Sequence, residues 1–204
     1  MLAYYAQRFS TVEINNTFYR MPEASVLELW TSQVPEEFRF AIKAPQTITH
    51  RKRLIHVAEE FDRLLDTTAV LGKRRGPVLF QLPPNFKKDM PRLEDFLQLI
   101  KGRVPVAFEF RHASWLDDEI FACLRKASAA LCLADVDDAP SPELIDTAGW
   151  GYLRLRRERY TAKDLAGWIA RATSTGWKHA YVFFKHEDTG TGPKLAKRFL
   201  KLTG

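Results

Sequence analysis

Short apolar stretches alternate with amphipathic helical ones along nearly the whole chain, and this alternation limits the fold more than any other feature. The apolar stretches are Thr11–Phe18, Phe38–Lys43, Pro77–Leu82, Val104–Phe110, Ala130–Asp135, Tyr152–Arg156 and Ala180–Phe184. They are short and apolar, as parallel strands covered on both faces are. Ahead of the first, the spacing predicts a helix over Leu2–Phe9. Between the others it predicts helices over Pro22–Val34, Leu54–Leu71, Pro91–Ile100 and Asp117–Ala127. Two more follow, from the N-cap Thr161 to Thr175 and over Pro193–Leu202. The punctuation agrees: Pro22 sits at a helix start, Pro35 ends that helix, Gly72 and Gly102 close two others, and Asp164 is placed to complete a capping box with Thr161. Asp137–Gly149 carries no period and reads as irregular.

Seven strands alternating with helices leave a doubly wound sheet or a (β/α)8 barrel. No Gly-rich phosphate fingerprint follows the first strand, which weighs against a dinucleotide-binding doubly wound sheet. Charged and polar residues recur at the C-terminal ends of the strands, where barrels carry their sites. The expectation is therefore an α/β fold of TIM-type (β/α)8 architecture, as a single domain over residues 1–204. Such a barrel has eight strands, so the first strand is expected to be missing, through N-terminal truncation or a start assigned too late.

Hydrophobic residues make up 46% of the chain and charged ones 27%, which excludes a disordered, collagenous or coiled-coil chain. With 31 Lys and Arg against 25 Asp and Glu, the net charge of +6 favours an anionic small molecule or nucleic acid as partner. Cys123 and Cys132 lack metal-ligand spacing and read as small buried hydrophobes. No signal peptide is recognisable, and no run approaches the ~18 apolar residues of a membrane span. The expectation is a cytoplasmic protein with no membrane association.

The strand ends supply the candidate site. Glu13 and Asn15 alternate on one strand face, and Glu109 and Arg111 repeat that spacing. Glu13, Glu109 and Asp135 are the candidate catalytic carboxylates, able to act as general acid or base. Lys43, Arg154 and Lys185 end three other strands and, with Arg111, suit an anion, Arg111 through its planar fork. Asn15, His50, Gln81, Trp115 and His186 complete the candidate ligand-binding set. His50 is a candidate proton-transfer group. Trp115 is a stacking surface or a core side chain. Plainer alternatives stand beside these: internal ion pairs between Glu13 or Glu109 and Lys43 or Arg111, and a solvated basic loop from Arg154 to Arg159. Gly190 and Gly192 precede the last helix, either leaving N–H groups for an anion or punctuating the loop. No His-x-x-x-His or Cys-x-x-Cys pair is present, so no metal ligand is assigned, and the cofactor is unknown.

These stretches also resemble a known family. Tyr4 to Pro22 (YYAQRFSTVEINNTFYRMP) is similar to the opening of the YecE-like family, also called domain of unknown function 72. Phe40-Ala41-Ile42-Lys43-Ala44 with Ile48-Thr49-His50, Leu79 to Pro84, Phe108 to His112 with Ser114-Trp115, Tyr152 to Leu155, and Tyr181 to Glu187 continue the resemblance in order along essentially the whole chain. It implies a TIM-type barrel and no established reaction. It also implies an earlier first strand with a Gly-Thr-Ser-Gly-Trp-like segment, which this chain lacks. Many members have Asn-Asn where this chain has Lys185-His186. The functional expectation is an anion-binding pocket at the C-terminal mouth, with hydrolysis of a phosphate-bearing compound as the chemistry. Two alternatives stay open: a non-enzymatic nucleic-acid-binding protein, and a metal-dependent hydrolase or isomerase.

Overall fold

The computed structural model describes residues 1–185 and 190–203. They form α1 (Leu2–Ala6), β1 (Thr11–Ile14), α2 (Ala24–Ser32), β2 (Arg39–Lys43), α3 (Ala58–Thr68), β3 (Arg75–Gln81), α4 (Met90–Ile100), β4 (Val106–Glu109), α5 (Asp118–Ala127), β5 (Ala130–Asp135), β6 (Gly151–Leu155), α6 (Ala162–Thr173), β7 (Ala180–Phe184) and α7 (Thr191–Leu202). The chain divides into two compact units, the first ending at Cys123 and the second starting at Leu124. In the first unit the sheet order is β1-β2-β3-β4, and in the second β5-β6-β7, with every pair parallel. Seven parallel strands alternating with helices give an α/β fold of TIM-barrel type with one strand fewer than the full eight.

Register sorts the side chains of the first unit. Glu13 pairs with Ala41, Lys43 with Leu79, Leu79 with Ala107, and Gln81 with Glu109. Parallel partners point to the same face, and so do alternate residues. Glu13, Lys43, Gln81 and Glu109 therefore share one face, with small Ala41 and Ala107 beneath them. The opposite face carries Ile42, Phe80 and Phe108. Phe80 lies 5.0 Å from Phe96 of α4 and 6.3 Å from Phe61 of α3, and it stacks on Phe108 at 5.4 Å. Burying such a ring contributes roughly 1.5–3 kcal/mol, so this face is fixed against the helices. Between Phe40 and Ile42 the β2–β3 register shifts. A Cβ on Gly76 would stand 3.0 Å from the Phe40 carbonyl oxygen, so glycine permits the close approach there.

In the second unit, α6 starts with the capping box the sequence predicts: Asp164 N–H donates to Thr161 Oγ1 at 3.2 Å, and Thr161 N–H donates to Asp164 Oδ2 at 2.7 Å. The irregular stretch before β6 is tied to β5 by Thr147. Its hydroxyl donates to Ala129 O at 2.7 Å and accepts from Leu131 N–H at 2.9 Å.

Several boundaries differ from the sequence reading, most of all at the end of β1 and the start of α3. β1 stops at Ile14 instead of running to Phe18. Thr17 turns the chain by donating to Ile14 O at 2.9 Å and Lys43 O at 2.6 Å, and Asn16–Phe18 forms a 3-10 turn. The helix predicted from Leu54 starts at Ala58. Ahead of it Thr47–Arg51 forms a single π turn, and Arg53, Leu54 and His56 adopt φ of 47°, 71° and 49°. Cys132 is buried in β5, Cys123 is half-buried, and neither forms a disulfide.

Candidate functional site

The C-terminal edge of the first unit gathers most of the predicted residues. Gln81 and Glu109 are register partners, and Gln81 Nε2 donates to Glu109 Oε1 at 2.7 Å. Arg111 Nε donates to the same oxygen at 3.3 Å. The Glu109 side chain is 4% exposed and that of Arg111 42%. A buried carboxylate needs such partners, and here it anchors a guanidinium whose outer part reaches solvent. On the neighbouring strand, Lys43 Nζ lies 4.2 Å from the centre of the Phe18 ring. That ring meets His50 edge-on, with centres 4.9 Å apart. Asn15 Nδ2 donates to Glu13 Oε1 at 3.1 Å, so these two meet although the strand ends between them.

His50 registers the electrostatics of this edge. Its imidazole is held below the ordinary histidine range by burial first, then by the positive charges of Lys43, Arg111 and Arg53. Three cations from separate segments thus act on one imidazole. Thr49 Oγ1 lies 2.9 Å from His50 Nδ1. A hydroxyl donating there would leave the proton of the neutral ring on Nε2.

The segment carrying Arg53 is strained. Left-handed backbone at a non-glycine residue costs on the order of 1–3 kcal/mol and persists where its surroundings dictate it. Leu54 and Val57 are buried on either side of His56, and Leu54 N–H donates to Ile48 O at 2.9 Å. Lys52 Nζ donates to His56 O at 3.1 Å and pairs with Glu60 at 2.6 Å, which holds the Glu60 carboxyl below its usual range. π turns and strained backbone both concentrate at functional sites. The candidate set read from the sequence left out Arg53, His56 and Phe18; the left-handed backbone at Arg53 and His56 leaves no compositional mark.

The remaining candidates lie elsewhere. Trp115 is fully buried, stacks on Phe110 at 4.9 Å and donates from Nε1 to Phe86 O at 2.6 Å, so it is a core side chain. In the second unit, Arg154 is buried in β6 between its partners Ala134 and Phe183. Lys185 follows β7 and its N–H donates to Leu155 O at 3.0 Å. A Cβ on Gly192 would stand 2.6 Å from Lys185 O, and Gly190 has φ 68°, so both glycines have a backbone reason to be there. His186 lies outside the described residues.

Asp135 is fully buried and saturated. Oδ2 accepts from Tyr160 Oη at 2.8 Å and Trp168 Nε1 at 3.2 Å. Oδ1 accepts from Arg157 Nη2 at 2.7 Å and Ser141 Oγ at 3.3 Å. Burial, and then donation to Asp135, push the Tyr160 hydroxyl far above its ordinary range, so it stays a proton donor.

The consecutive basic residues Lys73, Arg74 and Arg75 each have a partner. Lys73 pairs with Glu36 at 3.0 Å, Arg74 donates to Pro35 O at 3.1 Å, and Arg75 donates to Leu65 O at 3.2 Å. Among the described residues, no three His, Cys, Asp or Glu side chains are grouped to hold a metal, and no helix is long and apolar enough to cross a membrane. A cavity of about 310 Å³ in the second unit, lined by Glu143, Leu144, Asp146, Arg171, Ser174 and Thr175, includes none of the predicted site residues.

Comparison with known proteins agrees with the fold. The chain is similar to the UPF0759 protein YecE of Escherichia coli K12, 35% identical over 109 residues, or 53% of this chain and 40% of that protein. It is similar to the UPF0759 protein YunF of Bacillus subtilis 168, 25% identical over 198 residues, or 90% of this chain and 70% of that protein. The match to YecE thus spans less than half of that relative's length. A crystal structure of a DUF72 family protein from Enterococcus faecalis V583 superposes with a TM-score of 0.83 at 19% identity, covering 99% of this chain and 87% of that one. One from Thermotoga maritima MSB8 gives 0.80 at 23% identity, covering 96% and 85%. The family model described as protein of unknown function DUF72 matches residues 1–204, so the chain belongs to the DUF72 family that its motifs resemble.

Proposed function

We propose that the C-terminal edge of the first unit's strands is an anion-binding site for a phosphate-like group, with hydrolysis of a phosphate-bearing compound as its chemistry. One observation carries this reading: the buried Glu109 carboxylate holds the Arg111 guanidinium, 42% exposed, at the same strand edge that Lys43 ends. Arg111 presents a planar fork suited to phosphate oxygens, anchored from behind by Glu109. Lys43 adds a point charge beside the Phe18 ring.

In this reading Glu109 is first a positioning residue for Arg111, while Glu13 is the more accessible acid/base candidate. Asp135, whose oxygens already accept four donors, serves the fold of its own unit. The test is calorimetric titration with inorganic phosphate and sulfate. Millimolar or tighter binding that Arg111→Ala and Lys43→Ala each weaken supports the proposal; heats indistinguishable from dilution for both anions overturn it. Release of phosphate from a generic aryl phosphate, lost in Glu13→Gln, would support hydrolysis.

A further inference from the structure

Resting on that reading for its substrate class, we infer that Ser114 is a nucleophile and His112 its general base: the Ser114 hydroxyl attacks phosphorus while its proton passes to His112 Nδ1. The pair follows β4 in the same unit as Glu109 and Arg111, where Ala113–Trp115 forms a 3-10 turn. Ser114 Oγ lies 2.9 Å from His112 Nδ1. A hydroxyl beside a ring nitrogen leaves the direction of that bond open, but a second contact decides it here. Ser114 N–H donates to the same Nδ1 at 3.1 Å. A backbone N–H can only donate, so Nδ1 carries the lone pair and the neutral ring keeps its proton on Nε2. The hydroxyl is therefore the donor, with its proton aimed at a basic nitrogen.

The oxygen itself is arranged for attack. A hydroxyl has one donor and two lone pairs. One lone pair accepts from Lys88 N–H at 2.8 Å, a contact that fixes the oxygen and stabilises charge on it as the proton leaves. Among the described residues no further group bonds this oxygen, so the second lone pair is open, and both side chains are only half-buried. The frame is firm: Trp115 is fully buried and donates from Nε1 to Phe86 O at 2.6 Å, tying the turn to the loop that carries Lys88. The Lys88 ammonium is taken by Asp117 and Glu119, so its backbone alone serves Ser114. A side-chain cap of the turn needs only the Ser114 N–H contact. A hydroxyl set between an oriented base and a donor is what covalent catalysis needs in addition. In the first step the Oγ–P bond forms, the ester P–O bond breaks, and the proton held on Nδ1 passes to the leaving oxygen. In the second, water gives a proton to Nδ1 and attacks phosphorus, the Oγ–P bond breaks, and Ser114 recovers that proton.

An alkyl fluorophosphonate tests the pair without needing the anion site. Attack by Oγ expels fluoride and leaves a stable phosphonyl ester, read by mass spectrometry of the whole chain and its peptides. The expected result is one adduct, on Ser114, absent in Ser114→Ala. His112→Asn separates chemistry from structure, because asparagine is a good N-cap that can accept from Ser114 N–H but is no base. It should leave the unfolding temperature within a few degrees and slow labelling by about a hundredfold or more, the scale of general-base catalysis. Wild type must label whatever the fate of the variants. No adduct, an adduct on another residue, or an unchanged rate in His112→Asn overturns the inference and leaves the anion site standing. Labelling of Ser114 in a protein that binds neither phosphate nor sulfate supports the pair and overturns the anion reading.

Discussion

Two carboxylates end neighbouring kinds of strand in this protein and meet opposite fates. Glu109 closes β4 and Asp135 closes β5, each buried and each flagged by the same sequence pattern. Glu109 holds an amide and one guanidinium nitrogen, and that guanidinium is 42% exposed. Asp135 holds a phenol, an indole, a hydroxyl and a guanidinium within its own unit. A carboxylate with two oxygens has about four lone-pair sites; at Asp135 all four are engaged. An acid at a strand end is therefore not by itself a catalytic acid. What separates the two is how far the anchored guanidinium reaches outward: the Arg111 side chain is 42% exposed and that of Arg157 29%.

The sharpest way to break this contrast is Asp135→Ala. Removing a fully buried carboxylate strands Arg157, Tyr160, Trp168 and Ser141 together, and stability in urea should fall by about 3–5 kcal/mol. Glu109→Ala should lose less, because Arg111 can return to water; equal losses would erase the distinction.

Tyr160→Phe comes next, with an expected loss of about 1.5–3 kcal/mol, the range for a hydrogen bond to a charged group. It also carries a pH signature. Because the folded protein raises the Tyr160 pKa, its contribution is complete below the ordinary tyrosine value of about 10 and is lost as pH climbs through the folded value. Wild type should lose stability steeply in alkali; Tyr160→Phe should show a shallower decline.

Arg111→Ala should lower stability by about 1–3 kcal/mol, because the buried Glu109 carboxylate loses a charge-assisted donor. Sulfate affinity should fall about tenfold or more, the scale of a charge-assisted contact. A variant that binds normally would show that the Glu109–Arg111 pair does not serve anion binding.

The smallest effect is at His56→Gly. Glycine tolerates the left-handed backbone, so thermal unfolding should show a gain of about 1 kcal/mol. Sulfate binding should weaken by a few-fold as the segment bearing Arg53 loosens. Higher stability with unchanged binding would detach the strain from the site.

Particular residues show how much of this was legible beforehand. The capping box at Thr161 and Asp164 is local chemistry, and it formed where the spacing placed it. Gln81, Glu109 and Arg111 could be named from strand parity alone, since alternation fixes which side chains share a face. Trp115 was ambiguous in sequence, because a tryptophan suits a core and a ligand equally; only its stacking on Phe110 and its bond to Phe86 O decided the matter. Asp135 and Glu109 were indistinguishable, because the donors that saturate Asp135 come from as far as Trp168, 33 residues along the chain.

The sequence by itself determined the order and type of most elements, the parallel α/β class and the polarity of the strand ends, because hydrophobic period, caps and prolines act over a few residues. Tertiary structure decided the π turn, the three left-handed residues before α3, and which partners each strand-end carboxylate meets. Those depend on which distant groups arrive to satisfy a buried charge or to hold a strained backbone, and neighbours along the chain carry no record of them.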